Sequence, residues 1–397
     1  MVKALGAEAY GVAKVMLLDA LKELGGSDQE RLSQSFSWNH YTREGHKSMK
    51  LQTLAAAALL AASTLTALAQ PRPLGDSRFV ASVPFPGYPE GMAVYDGRFY
   101  VSGPAAFGVP GNFQPSPIFV YDVKTGAMVD TITIQGQTGP LNAISCIAFD
   151  GDGNLFVLDE SGRMLKIDVE TKQQTTYAAP FYPNYQSAFN PPAPILLNDL
   201  AFDKKGNIYV TDSFEATIWR VPPGGGAPQV WFQGASIDGP FGPNGVRVDP
   251  NSKLLYFDVT FNAMGKGVIY TLPLVDHPTV ADLKMFHTFE AGAGPDGFTF
   301  GKSGNLYVCL AGSSQIAVLD AAGNEVARYS GPAQTPNPAQ PLIWQNPANI
   351  AFDDARKRIL VTNHASLVPN PVFAVFDVYV NDQAGKLFGP DGERDDH

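Results

Sequence analysis

Cysteine is nearly missing from this chain: Cys146 and Cys309 are the only two in 397 residues. That scarcity rules out a disulfide framework and a zinc site built on thiolates. Charged residues are sparse as well, at 17%, and they lean acidic to a net charge of −10. Without a stripe of Lys and Arg to neutralise phosphates, a nucleic-acid partner is excluded. No Asn-x-Ser/Thr acceptor occurs, so export would not bring N-glycosylation. There is also no Gly-x-Ser-x-Gly elbow and no paired Cys/His arrangement, which sets aside the usual serine and cysteine nucleophiles. What the chain does have is 39 Gly, 32 Pro and 45% hydrophobic residues, the composition of many short strands joined by turns over a sizeable core.

Those strands follow a repeated phrase. Leu197-Asn-Asp-Leu-Ala-Phe202, the turn Asp203-Lys-Lys-Gly-Asn207 and Ile208-Tyr-Val-Thr-Asp212 read as a hairpin. The phrase starts near 90, 145, 198, 244, 296 and 348, six times at spacings of roughly 46 to 55 residues, the period of propeller blades. A third strand follows in most copies, for example Ile118-Phe-Val-Tyr-Asp122 and Ile316-Ala-Val-Leu-Asp320. The inner strands are apolar at both parities, as expected of sheets covered on both faces. The expected fold is all-β, a six-bladed β-propeller. A lone early strand, Phe79-Val-Ala-Ser-Val83, has no hairpin partner and is expected to complete blade six and clasp the ring.

The domain reading places this propeller at 70–397. Residues 49–69 combine Met49-Lys50, an Ala/Leu-rich run and Ala67-Leu-Ala69, the parts of a secretory signal peptide, so the protein is expected to be secreted with no stable membrane span in its mature form. Residues 1–48 read as a spurious extension, holding one short amphipathic stretch, Val12 to Leu24, with nothing to pack on. In a six-membered ring Cys146 (copy two) and Cys309 (copy five) lie opposite each other, too far apart to bond, and both are expected to be buried free thiols. The run Asp150-Gly-Asp-Gly-Asn154 lacks the later Gly and Glu of a calcium loop and reads as a turn. Three long connections, 103–117, 181–192 and 331–347, are aromatic or Pro-rich; they fit either pocket walls or ordinary packing loops.

Aligning the copies on the first strand puts Glu90, Ser145, Asn198, Asn244, Asp296 and Ala348 at one position. Four of the six carry ligand-type oxygens, and equivalent positions near a ring axis converge. Two carboxylates and two amide carbonyls form a hard, oxygen-only shell suited to Ca²⁺, with other divalent cations compatible. Asn244-Gly and Asp296-Gly also read as turn formers, which leaves the simpler account open for those two positions.

With Glu90-Gly91, Asn198-Asp199, Pro243-Asn244-Gly245 and Asp296-Gly297 each heading a repeat, the sequence resembles, from about 78 to 383, the senescence-marker-protein-30/gluconolactonase/luciferin-regenerating-enzyme-like family, including its diisopropylfluorophosphatase relatives. The resemblance implies one catalytic divalent cation, usually calcium, held by Glu90, Asn198, Asn244 and Asp296, with Asp296 also as base or nucleophile. His364 matches a pocket histidine of the phosphotriesterase branch. The acidic and histidine positions of that branch's second calcium are Thr299 and Ala351 here. The implied activity is hydrolysis of a lactone or related ester by a monomer. A non-catalytic metal-stabilised binding propeller and a secreted cyclisation catalyst are the alternatives, since propellers host many functions.

Overall fold

Each repeated phrase forms the inner two strands of a four-stranded antiparallel sheet, and six such sheets are present. The computed structural model describes residues 72–393, apart from 140–141, 151, 192–194, 332–343, 367 and 390–391. The inner pairs are Met92–Tyr95 with Arg98–Ser102, Ile144–Phe149 with Asn154–Asp159, and Leu197–Phe202 with Ile208–Asp212 in blades one to three. In blades four to six they are Phe241–Val248 with Leu254–Phe261, Pro295–Phe300 with Leu306–Leu310, and Pro347–Asp353 with Arg358–Asn363. The extension 1–48 and leader 49–69 lie outside the described residues.

The hairpins close as their sequences dictate. In the Asp203 turn, Asp203 Oδ1 accepts the Lys205 and Asn207 amides at 2.8 and 2.9 Å, while Gly206 takes φ +80°, where a side chain is disfavoured. Asp150 accepts the Asp152 and Asn154 amides in the same way.

Every inner strand packs on that of the next blade, and the sixth packs on the first, which closes the ring. The core is accordingly a circuit of inter-blade clusters. One joins Tyr100 and Ile118 of blade one to Ile147 and Phe149 of blade two; another joins Leu360 and Val375 of blade six to Phe99 and Met92 of blade one. Each fully buried Phe or Leu in this circuit contributes about 1.5–3 kcal/mol of transfer free energy. Ser77–Ser82 pairs with Ala374–Tyr379 as the outermost strand of blade six, so the two ends of the propeller share one sheet. The sequence reading lacked the outer fourth strands of blades one to five, such as Met128–Thr133 and Glu325–Ser330. Cys146 and Cys309 are both buried and free.

Candidate metal centre

The position aligned across the repeats is a backbone irregularity. In blades two to six the pairing of first and second strands slips just there, between Ile144/Ile147, Leu197/Leu200, Pro243/Val246, Pro295/Phe298 and Pro347/Ile350. Such bulges re-aim one side chain out of the alternating pattern. Asn198, Asn244 and Asp296 sit in three of them, and Glu90 stands just ahead of its strand, its N–H bonded to Ser102 O at 3.1 Å. The glycine that follows is set by close approach and not by a turn. A Cβ on Gly245 would lie 2.5 Å from Asp296 O, and one on Gly297 2.6 Å from Ala348 O. The turn-former account of Asn244-Gly and Asp296-Gly therefore fails.

Glu90, Asn198, Asn244, Asp296 and His364 all line one cavity of about 310 Å³. Hydroxyls in or just after the second strands fix the amides. Asn198 Nδ2 donates to Ser213 Oγ at 3.1 Å and Asn244 Nδ2 to Thr260 Oγ1 at 2.9 Å, which turns each amide oxygen away from those strands. Asn244 Oδ1 is buried with no hydrogen-bond partner among the described residues, an acceptor without a donor. A second set of hydroxyls ties the ring together. Ser102 donates to Ser145 O at 2.5 Å, Thr211 to Asn244 O at 2.5 Å and Thr362 to Glu90 O at 2.9 Å, each from one blade to the next.

Charge at the centre is unbalanced. Burial pushes the Glu90 carboxyl well up, with Asp296, Asp199 and Glu160 adding repulsion. The Asp296 carboxyl is also raised by burial, against the Gly297 N–H and Asn244 amide that lower it. Asp258 is buried too, and burial, Asp296 and Asp199 raise it against the Gly245 N–H and Arg247, which lower it. The one guanidinium among these groups, Arg247, bonds Asp199 of blade three at 2.5 Å and Asn349 of blade six at 3.3 Å, blades that face each other across the axis. Its equivalents in the other five repeats are Ala93, Ala148, Ala201, Thr299 and Ala351, so one long side chain occupies space that five short ones leave.

The residues fit a hard dication. Two carboxylates held together against repulsion and two tethered amides, one of them with an orphaned oxygen, all call for positive charge at their meeting point. Among the described residues no cluster of three or more His, Cys, Asp or Glu is placed to hold a metal; the donors here are half amide. Thr299 and Ala351 supply no acid or histidine for a second ion.

His364 follows the second strand of blade six, with Nε2 3.9 Å from Glu90 Oε2. That nitrogen has no hydrogen-bond partner among the described residues, and burial lowers the imidazole to about 4, leaving it neutral at pH 7. The loops divide. Ala105 and Phe107 of the 103–117 connection and Asn346 of the last one line the cavity. The described part of the 181–192 loop, 181–191, does not: it packs on blade three, Phe181 and Tyr182 edge-on to Trp219. Buried carboxylates pin it, Glu215 accepting the Asn184 and Tyr185 amides and Asp238 the Ser187 hydroxyl and Ala188 amide. Leu196, Leu197, Phe241 and Phe261 give the cavity apolar walls, beside the polar Ser145, Glu160, Thr260 and Ser366. The sequence reading missed Glu160, a cavity-lining carboxylic acid just after the second strand of blade two, as well as Arg247, Asp258, Ser213 and Thr260.

A family model described as SMP-30/Gluconolactonase/LRE-like region matches residues 117–343. Among solved structures, a calcium-binding protein, regucalcin, from Agrobacterium tumefaciens strain C58 is similar at 17% identity and a TM-score of 0.57, over 79% of this chain and 96% of that one. A luciferin-regenerating enzyme is similar at 13% identity and a TM-score of 0.54, over 77% and 94%. At these identities the likeness is one of fold. No sequence among the curated proteins matches the chain.

Proposed function

The chain belongs to the SMP-30/gluconolactonase/LRE-like family, and on that premise we propose that it is a calcium-dependent hydrolase of lactone or related ester bonds. The observation that supports this most is the meeting of Glu90, Asn198, Asn244 and Asp296, from four blades, on one cavity that also holds a neutral histidine. The similar regucalcin is named a calcium-binding protein, which favours calcium here. The apolar walls favour substrates with a hydrocarbon body over bare sugar lactones.

Glu90, Asn198, Asn244 and Asp296 would hold the ion. When bound it supplies polarisation of the substrate carbonyl and charge to offset the developing oxyanion. The chain's own groups do the rest. Asp296, open to the cavity, accepts a proton from the attacking water; as a ligand carboxylate it is a weak base, so a reactive lactone supplies part of the ease. His364, neutral beside Glu90, is a second proton carrier or a wall for the substrate. Phe107, Phe241 and Phe261 hold the substrate body and exclude water.

The test is Asp296→Asn in the calcium-loaded protein: turnover should fall by roughly two to four decades while an oxygen ligand remains and calcium binding weakens only modestly. His364→Ala separates proton carrier from wall by whether the loss lies in kcat or in KM. Near-full hydrolysis by Asp296→Asn would remove the proposed base. Bound calcium with no turnover in the wild type would leave the binding-propeller reading. We further propose that the protein works outside the cell as a monomer after loss of 49–69, which N-terminal sequencing and solution mass of exported material test.

A further inference from the structure

We propose that the end of the ring holding the cavity mouth is a docking face for a lipid surface of neutral or zwitterionic headgroups. Strands alternate in direction within each blade, so the connections from second to third strand and from one blade to the next all lie at one end, where every cavity-lining residue stands. The described residues of those connections include four Asp, Glu, Lys or Arg side chains, Glu90, Glu160, Glu215 and Asp238, and all four are buried. Two exposed charges of blade four, Lys266 and Glu290, come close to this end from within strands, and Glu290 is paired with Arg328. The opposite end is built the other way. Its first hairpin turns expose Asp96, Asp152, Lys204, Lys253, Lys302 and Lys357, one charge in each blade.

Aromatic exposure is divided in the reverse sense. Six aromatic side chains are exposed among the described residues, and five of them, Phe85, Phe107, Phe113, Tyr182 and Phe189, are at the cavity end. Met264 of the same end is 73% exposed and Phe113 71%, so neither is held by packing on its own ring. Phe85 reaches over the 103–117 connection, its Cζ 3.9 Å from where a Cβ on Gly111 would stand, and Phe107 of that connection both lines the cavity and faces solvent. The exposed apolar groups therefore begin at the mouth and continue outward.

A single exposed apolar side chain is ordinary. Five aromatics and a Met on the one end that shows no loop charge are not, since solubility is served by the reverse arrangement. Lipid suits this face for two reasons. The apolar tips project from four separate connections, 83–91, 103–116, 179–191 and 262–265, with Pro, Asn, Gln and Ser between them. Each tip can enter a fluid interface by itself while its polar neighbours meet headgroups. A folded protein on this end would seal the mouth, whereas a lipid surface leaves it open and supplies the solutes dissolved in it; this second reason rests on the hydrolytic reading above. The headgroups must carry no net charge, because the chain is acidic overall and its docking loops expose no cation to hold an anionic surface.

Residues 49–69 are themselves apolar, so the readout must be local to the face. Hydrogen exchange of the full chain, with calcium present, is compared with and without phosphatidylcholine vesicles. Amides of 103–116 and 262–265 should exchange more slowly on vesicles, and those of 274–283 at the opposite end should not. In Phe113→Ser with Met264→Ser the lipid concentration giving half of that protection should rise roughly tenfold or more. Val275→Ser with Val280→Ser, exposed positions of the opposite end, should leave it within about twofold. No slowing at the cavity end, or equal slowing at both ends, would overturn the proposal. So would slowing on phosphatidylglycerol vesicles alone that about 0.5 M NaCl abolishes, the mark of anionic headgroups. Slowing of the same loops that grows with protein concentration in the absence of lipid would assign the face to a second copy of the chain instead. The vesicle result does not depend on turnover, so this proposal and the hydrolytic reading fail separately.

Discussion

Asn198 and Asn244 show how much of the centre depends on groups that touch no substrate. Their amide nitrogens are held by Ser213 and Thr260, and those bonds fix how each amide is turned. Thr260→Val should leave the fold intact yet free the Asn244 amide to turn. We expect calcium affinity to drop about tenfold, near 1.4 kcal/mol, by isothermal titration. The four ligands were legible in the sequence because they repeat in register; Ser213, Thr260 and Glu160 were not, since each is a lone polar residue in a strand or turn where its type alone says nothing. Protonation gives a second prediction at this scale. Glu90 and Asp296 are held above the ordinary carboxylate range, so binding a dication must displace protons. Calorimetry in buffers of different ionisation heat should find net proton release on calcium binding at pH 7, and affinity that rises with pH. No proton release would mean that the two carboxylates are not ligands.

The blade strands were readable wherever both faces are covered, because such strands are apolar throughout. The fourth strands escaped: Met128–Thr133 and Glu325–Ser330 have mostly open faces and little pattern. The bulges escaped for a different reason, as a slip in pairing involves two strands and leaves no mark in either one alone. The early strand was readable as an element without a partner, and Ser77–Ser82 does close blade six. A chain starting at residue 84 would bare the edge of Ala374–Tyr379 and empty the space of Ala81 and Val83, both buried. Relative to a chain starting at residue 70, it should melt at least 10 °C lower or fail to stay soluble, by thermal unfolding and light scattering. Equal melting of the two would mean that the strand is not part of the closure.

Across the whole ring, apolar blade interfaces enclose a centre that is acidic and short of cations. Arg247 is the exception, spanning from blade three to blade six. Arg247→Met would strand Asp199, whose buried carboxylate accepts from Arg247 and the Val246 amide, and should cost about 3–5 kcal/mol in denaturant unfolding. Acid groups held protonated also set the pH response of the metal-free ring. Burial raises Asp212 to about 7, whereas the unfolded chain titrates near 3.8. Its contribution is therefore complete below about pH 4 and is lost as the pH rises through 7. Glu90, Asp258 and Asp296 shift in the same direction, so in excess chelator the melting temperature should fall between pH 5 and pH 9, with calcium opposing the fall at the upper end. The central claim is that the acid-rich meeting point of the blades is a calcium site that hydrolyses lactones. The most direct measurement is the initial rate of δ-valerolactone hydrolysis by chelator-stripped protein as calcium is returned. The account predicts no hydrolysis above background without calcium and a saturable rise that is complete at one equivalent bound per chain. Hydrolysis at full rate in the stripped protein, or one equivalent bound with no rate at all, would contradict it.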